Sequence, residues 1–311
     1  MSQEQKRHVA GKTATEREQP LLNRIDMSDN TLKWIFLLPS VGLLAFLTLY
    51  PFLQGIWMSV HNWPLGSSEH LYIGASQYAD VITSGRFKNA LWNTVIFTGL
   101  GVTVQVILGI GLALYLKSLS ESWRPIFRTV FIIPMVMTPI ATGLVWRLML
   151  DGRIGIINYM IEAAGFTAPA WTSSSKLAMF TVMMIDTWQW TPLVVLIVFA
   201  GLLAVPQHLY EAARVDGAPR LAIFWHVTLP QIKYFIAIAA VFRLMESFRT
   251  FDYIWLVTEG GPGTSTEILN IYLYRVAFVF LDGGRAATVG LILLVVTIAV
   301  TMGLFRAVGV E

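Results

Sequence analysis

The residues whose types and spacing carry the most information run from Glu211 to Pro230. They begin Glu211-Ala212-Ala213-Arg214-Val215-Asp216-Gly217-Ala218, continue to Phe224 and close on Leu229-Pro230. Glu211 and Arg214 stand three apart, a spacing at which opposite charges meet on a helix. Ala212 and Ala213 are small and permit close approach of another surface. Asp216-Gly217 supplies a turn, because glycine tolerates positive φ, and Pro230 suits the first turn of a following helix. The pattern is a short helix, a turn and a second helix. On these grounds alone an ordinary helical hairpin is the favoured reading and a docking element the alternative.

Two more clusters invite a binding role. Asp186, Trp188, Gln189 and Trp190 set hydrogen-bonding groups beside aromatic faces, the mixed surface that suits a sugar. The competing reading is a tryptophan belt plus a polar packing residue. Arg243, Glu246, Arg249 and Asp252 alternate in sign, each three residues after the last, so adjacent members can pair along one helix face. Glu246, Arg249 and Asp252 are therefore candidates for a substrate path, and a self-satisfying ladder is the alternative. Covalent and metal chemistry find no support. The histidines His8, His61, His70, His208 and His226 lack metal-ligand spacing, and cysteine is absent. Gly11-Lys12-Thr13 resembles the end of a phosphate loop, but Lys6 stands where that loop needs its first glycine. No catalytic residue, metal site or resident cofactor is expected.

The elements that must position these residues follow from composition. Of 311 residues, 55% are hydrophobic and 13% charged, against roughly 25% charged in ordinary soluble domains. A soluble fold of this size cannot hide so much apolar surface. The apolar runs are continuous, not alternating, which excludes a β-barrel. The expected class is all-α: a polytopic membrane domain over 32–308 with six helices at about 34–60, 92–116, 127–148, 177–204, 233–257 and 286–306. Pro134 and Pro139 fall inside the third. The fifth carries the four alternating charges, each costing about 2.5–3.5 kcal/mol if unpaired near the bilayer centre. That helix must face protein or a watery path.

Residues 1–31 are polar and read as a cytoplasmic tail, too long and too acidic for a signal peptide. The net charge of +3 and the pI near 9.1 do not imply nucleic acid, because basic residues of membrane proteins mark cytoplasmic loops. Lys and Arg favour one set of segments by roughly two to one, which places both termini and the 207–230 segment inside.

Given these elements, the 211–230 stretch resembles the EAA loop of ABC importer permeases: Glu-Ala-Ala, three residues, Gly, and a closing Leu-Pro. Every position is filled. The Asp216 extension and Phe224 resemble the carbohydrate-uptake branch. Asn93-Thr94, Phe127-Arg128, Ile133-Pro134, Phe251-Asp252-Tyr253-Ile254, Leu256-Val257-Thr258 and Gly260-Gly261-Pro262 agree with permeases of the maltose, trehalose and glycerol-phosphate type. The resemblance covers residues 33–306 and is greatest to the first of the two permease subunits.

The resemblance implies a type I ABC importer permease fold in the inner membrane of a prokaryote. It implies a heterodimer with a second homologous permease subunit, two copies of an ABC ATPase that bind ATP and Mg, and an extracytoplasmic solute-binding protein. It assigns ATPase coupling to Glu211, Ala212, Ala213, Asp216 and Gly217. This chain is then a transporter subunit, not an enzyme, and a passive channel is disfavoured by the coupling loop. The expected cargo is a neutral sugar, oligosaccharide or polyol, because Glu246, Asp252 and Asp186 outweigh the two arginines of the fifth helix. Glycerol-phosphate or another anionic solute is the alternative.

Overall fold

The computed structural model describes residues 29–308, with side chains from Lys33 to Arg306. The expected polar tail lies outside the described residues except for its last three positions, which already belong to a helix. The chain divides at Gly55 into two units. The described part of the first is helix α1 (Asp29–Ser59) short of its last turn, with Pro39 and Pro51 inside the helix.

The second unit opens with a two-residue antiparallel pair, β1 (His61–Asn62) and β2 (Leu71–Tyr72). There follow α2 (Ser76–Thr83), α3 (Gly85–Ser118), α4 (Arg124–Val136), α5 (Pro139–Met149), α6 (Ile156–Ala163) and α7 (Ser175–Ala204). Next come α8 (Gln207–Val215), α9 (Arg220–Ile223), α10 (Leu229–Arg249), α11 (Asp252–Thr258), α12 (Leu269–Tyr274) and α13 (Gly283–Val308). Among the described residues, five helices are long and apolar enough to cross a membrane, six if the bent pair α4–α5 counts as one.

The centre of the unit is α3 packed along α7, with α10 against both. Small residues make this approach possible. A Cβ on Gly109 of α3 would sit 2.5 Å from Val194 Cγ1 of α7, and one on Gly201 of α7 would sit 2.6 Å from the Phe235 ring of α10. Dispersion between closely packed backbones drives helix association where lipid removes the hydrophobic term. One buried cluster gathers Ala113, Leu116, Val194, Val198, Leu202 and Ile232 at the α7–α8 end. Another gathers Phe97, Val182, Ile185, Tyr253, Ile254 and Ile271 at the opposite end.

Two of the expected spans are broken. The third bends by 94° between α4 and α5. Its cause is local: Thr138 precedes Pro139 and is extended, as the proline ring requires, and its hydroxyl caps α5 by accepting from Ala141 N at 3.3 Å. The fifth ends at Arg249, and Phe251 at φ −146° separates α10 from α11. Neither Pro nor Gly marks this second break. The two short outer segments pack on each other: a Cβ on Gly143 of α5 would lie 3.0 Å from Tyr253 Cα of α11.

Candidate functional site

The hairpin of α8 and α9 follows the end of α7. Lys117 Nζ ties the base by donating to Leu202 O at 3.0 Å and to Tyr210 OH at 3.2 Å, a cation on the carbonyl end of a helix. α8 then closes in a Schellman motif. Gly217 at φ +71° lets its own N–H reach Arg214 O and the Ala218 N–H reach Ala213 O, both at 3.0 Å. Glu211, Ala212, Asp216 and Gly217 are exposed and Ala213 is half-buried. The pairing expected between Glu211 and Arg214 is not formed among the described ion pairs, so both charges remain presented to the surroundings.

Beyond the turn, the helix does not restart at Pro230 as the sequence suggests. It runs from Arg220 through Arg249, with a π turn over Phe224–Thr228. The widened turn absorbs Pro230, which has no N–H to give the preceding turn. The second arm of the hairpin and the fifth span are thereby one continuous helix.

Asp186 is fully buried at the crossing of α3, α7, α10 and α11. Its carboxylate accepts from Arg243 Nη2 at 3.0 and 3.1 Å, from Gln105 Nε2 at 2.6 Å and from Tyr253 OH at 2.6 Å. Arg243 Nε donates to Gln105 Oε1 at 2.6 Å, and its guanidinium carbon lies 5.1 Å from the Trp190 ring centre. A carboxylate so enclosed offsets the charge of a buried arginine and holds four elements together. Gln105 has no charge and no motif of its own to mark it in the sequence, and Tyr253 stands there only within the Phe251–Ile254 motif, with no role attached.

The expected sign-alternating ladder is also rearranged. Arg243 turns inward to Asp186. Glu246 and Arg249 pair at 3.3 Å, with Arg249 largely exposed. Asp252 starts α11 beyond the break and so leaves their helix face. What the ladder becomes is a cleft of 180 Å³ lined by Trp190, Glu246, Arg249, Asp252 and Tyr253, with Pro139 from the other break. The remaining candidates lie elsewhere. Gln189 is buried and donates to Met137 O at 3.0 Å, holding the α4–α5 bend. Trp188 packs edge-on against Trp146 at 5.5 Å and lines an apolar pocket between α3, α4 and α7.

Over the α3 end of this bundle, the loop of residues 259–268 is clamped from below. Buried Glu267 receives both Nε and Nη2 of Arg86 at 2.9 Å, and Arg275 Nη1 at 3.4 Å. Asn93 Nδ2 donates to Thr264 O and Glu267 O, while Thr94 Oγ1 accepts from Leu269 N at 2.9 Å. The Asn93-Thr94 pair noticed in the sequence thus fastens this loop to α3.

Compared with known proteins, residues 105–309 match the family described as "Binding-protein-dependent transport system inner membrane component". The chain belongs to this family. It is a multi-span permease of an ABC importer, with the fold expected from its sequence. The sulfoquinovosyl glycerol transport permease of Agrobacterium fabrum is 30% identical over 94% of this chain and 96% of that one. The trehalose/maltose transport permease of Thermococcus litoralis is 29% identical over 82% and 86%. In fold, the permease is similar to a chain of a bacterial ABC transporter involved in import of the acidic polysaccharide alginate. That match has a TM-score of 0.78 at 22% identity, covering 90% of this chain and 95% of that one.

Proposed function

We propose that this permease is half of the translocation path of an ATP-driven, binding-protein-dependent carbohydrate importer. The observation that carries the proposal is one continuous helix from Arg220 to Arg249. It joins the exposed Glu211–Gly217 hairpin at one end to Glu246 and Arg249 of the cleft at the other. Closure of an ATPase around the hairpin would tilt that helix and reshape the cleft. The cleft lies where two discontinuous spans meet, the usual location of a transporter's binding site.

In this reading the cleft residues Trp190, Glu246, Arg249 and Asp252 form the substrate path, whereas Asp186 positions the helices around it. A second homologous permease subunit supplies the other half. Two copies of an ABC ATPase, which bind ATP and Mg, engage Glu211, Ala212, Ala213, Asp216 and Gly217. An extracytoplasmic solute-binding protein delivers cargo, and both termini face the cytoplasm. The carbohydrate class is supported by what the relatives transport. A neutral cargo is favoured because Glu246 and Asp252 outnumber Arg249 in the cleft, while Asp186 and Arg243 cancel. An anionic cargo is the second reading, since Arg249 is exposed and tied only to Glu246.

Two experiments test this. Reporter fusions after Val60, Leu119, Trp171, Gln207 and Gly263 should read Leu119 and Gln207 as internal; an external signal at Gln207 refutes the topology. In the reconstituted complex, binding protein loaded with neutral sugars or polyols should stimulate ATP hydrolysis, and Trp190→Ala should blunt it. Stimulation by sugar phosphates or sugar acids alone would favour the second reading.

A further inference from the structure

We infer that a groove between α4 and the end of α7 binds the headgroup of an anionic phospholipid of the inner leaflet. This groove has a volume of 430 Å³ and shares no lining residue with the cleft or with the Glu211–Gly217 segment. Its mouth carries Arg124 and Arg128 beside Leu203 at the end of α7, and deeper along the helices it is lined by Ile132 of α4 and Phe199 of α7. The inference rests on the proposed inward placement of the α3–α4 turn, which the reporter at Leu119 tests separately.

The two arginines are not interchangeable. Arg124 is locked: Nη2 donates to Leu119 O at 2.9 Å and to Lys117 O at 3.3 Å, closing the end of α3. Its Nε is buried without a partner. Arg128 is exposed one turn later and has no ion pair among the described residues. Glu121 also lines the mouth and lowers its charge by one. The net charge there is still positive, and Lys117 nearby is occupied by Leu202 O and Tyr210 OH.

Charge at one end and apolar surface at the other match a phosphodiester followed by its acyl chains. Trp123 and Ile126 flank the mouth and are more than half exposed, as befits a segment at the membrane interface. Basic pockets between membrane helices on the cytoplasmic side recognise anionic headgroups in this way. A free phosphate would satisfy the arginines but would leave the exposed Leu203 side chain uncovered.

The test uses the full transporter complex in phosphatidylcholine nanodiscs doped with phosphatidylglycerol, with retained lipid counted by native mass spectrometry. Phosphatidylglycerol should be retained over phosphatidylcholine. Arg128→Gln should weaken retention about fivefold and Glu121→Gln should strengthen it about fivefold, the factor expected for one interfacial charge. Both positions are exposed, so neither variant threatens the fold. Equal retention of the two lipids, or indifference to both variants, overturns the inference and leaves the groove to a protein neighbour. Displacement of the lipid by millimolar glycerol phosphate would overturn it in favour of a soluble-anion site.

Discussion

Replacing Asp186 by Asn tests whether the buried carboxylate is a structural keystone or a substrate contact. The substitution keeps the shape and removes the charge. Arg243, fully buried, would keep only the Gln105 carbonyl as a strong acceptor, and its Nη1 already has no partner. Tyr253 OH would exchange a 2.6 Å carboxylate bond for a weaker amide contact and a 3.4 Å contact to Thr250. Stranding one member of a buried ion pair costs about 3–5 kcal/mol. At ~2–4 °C per kcal/mol for a chain of this size, the apparent unfolding temperature should fall by on the order of 10 °C. The assay is thermal unfolding of the purified complex in detergent, followed by intrinsic tryptophan fluorescence and by size-exclusion chromatography. The double variant Asp186→Leu/Arg243→Met removes both charges and should recover part of the loss, the remainder being the cost of leaving the buried Gln105 amide and Tyr253 hydroxyl without their partners. A single variant as stable as the parent, yet dead in transport, would refute the argument and return Asp186 to the substrate path. A double variant no better than the single would refute the ion-pair reasoning itself.

Three other outcomes are expected. Gly217→Pro removes the N–H donated to Arg214 O and cannot adopt φ +71°, so it should abolish transport and ATPase co-purification while the permease still inserts; Gly217→Asn, which tolerates the left-handed region, should retain most activity. Glu267→Ala strands Arg86 and leaves Arg275 with only Glu259 O, and should cost about 2–3 kcal/mol, less than Asp186→Asn because Arg86 is partly exposed; limited proteolysis should then cut within 259–268 faster than in the parent. Gly109→Val would drive a branched side chain into Val194, whose Cγ1 lies 2.5 Å from the added Cβ, and should destabilise by about 1–3 kcal/mol, read as loss of folded complex on size-exclusion chromatography.

The amino-acid sequence alone determines the membrane class, the order of the apolar helices and the Glu211–Gly217 hairpin. These depend on properties internal to one segment: unbroken apolar runs, and a turn whose hydrogen bonds close within residues 212–218. The Asn93-Thr94 and Phe251–Ile254 motifs are equally visible, although their purposes are not. Only the tertiary structure decides which polar residues meet. Asp186 finds Arg243 57 residues away and Gln105 81 residues away, and that choice depends on how each helix is rotated about its axis. The same rotation withdraws Arg243 from the ladder that its spacing suggested, and it buries Gln189 with its amide on Met137 O at the α4–α5 bend. The break at Phe251 has no Pro or Gly to announce it; it exists because α11 gains more by packing on α5 and sending Tyr253 to Asp186 than by prolonging α10. Periodicity and composition report on one helix at a time, whereas a site built where four helices cross depends on their mutual rotation and depth, which no single segment encodes.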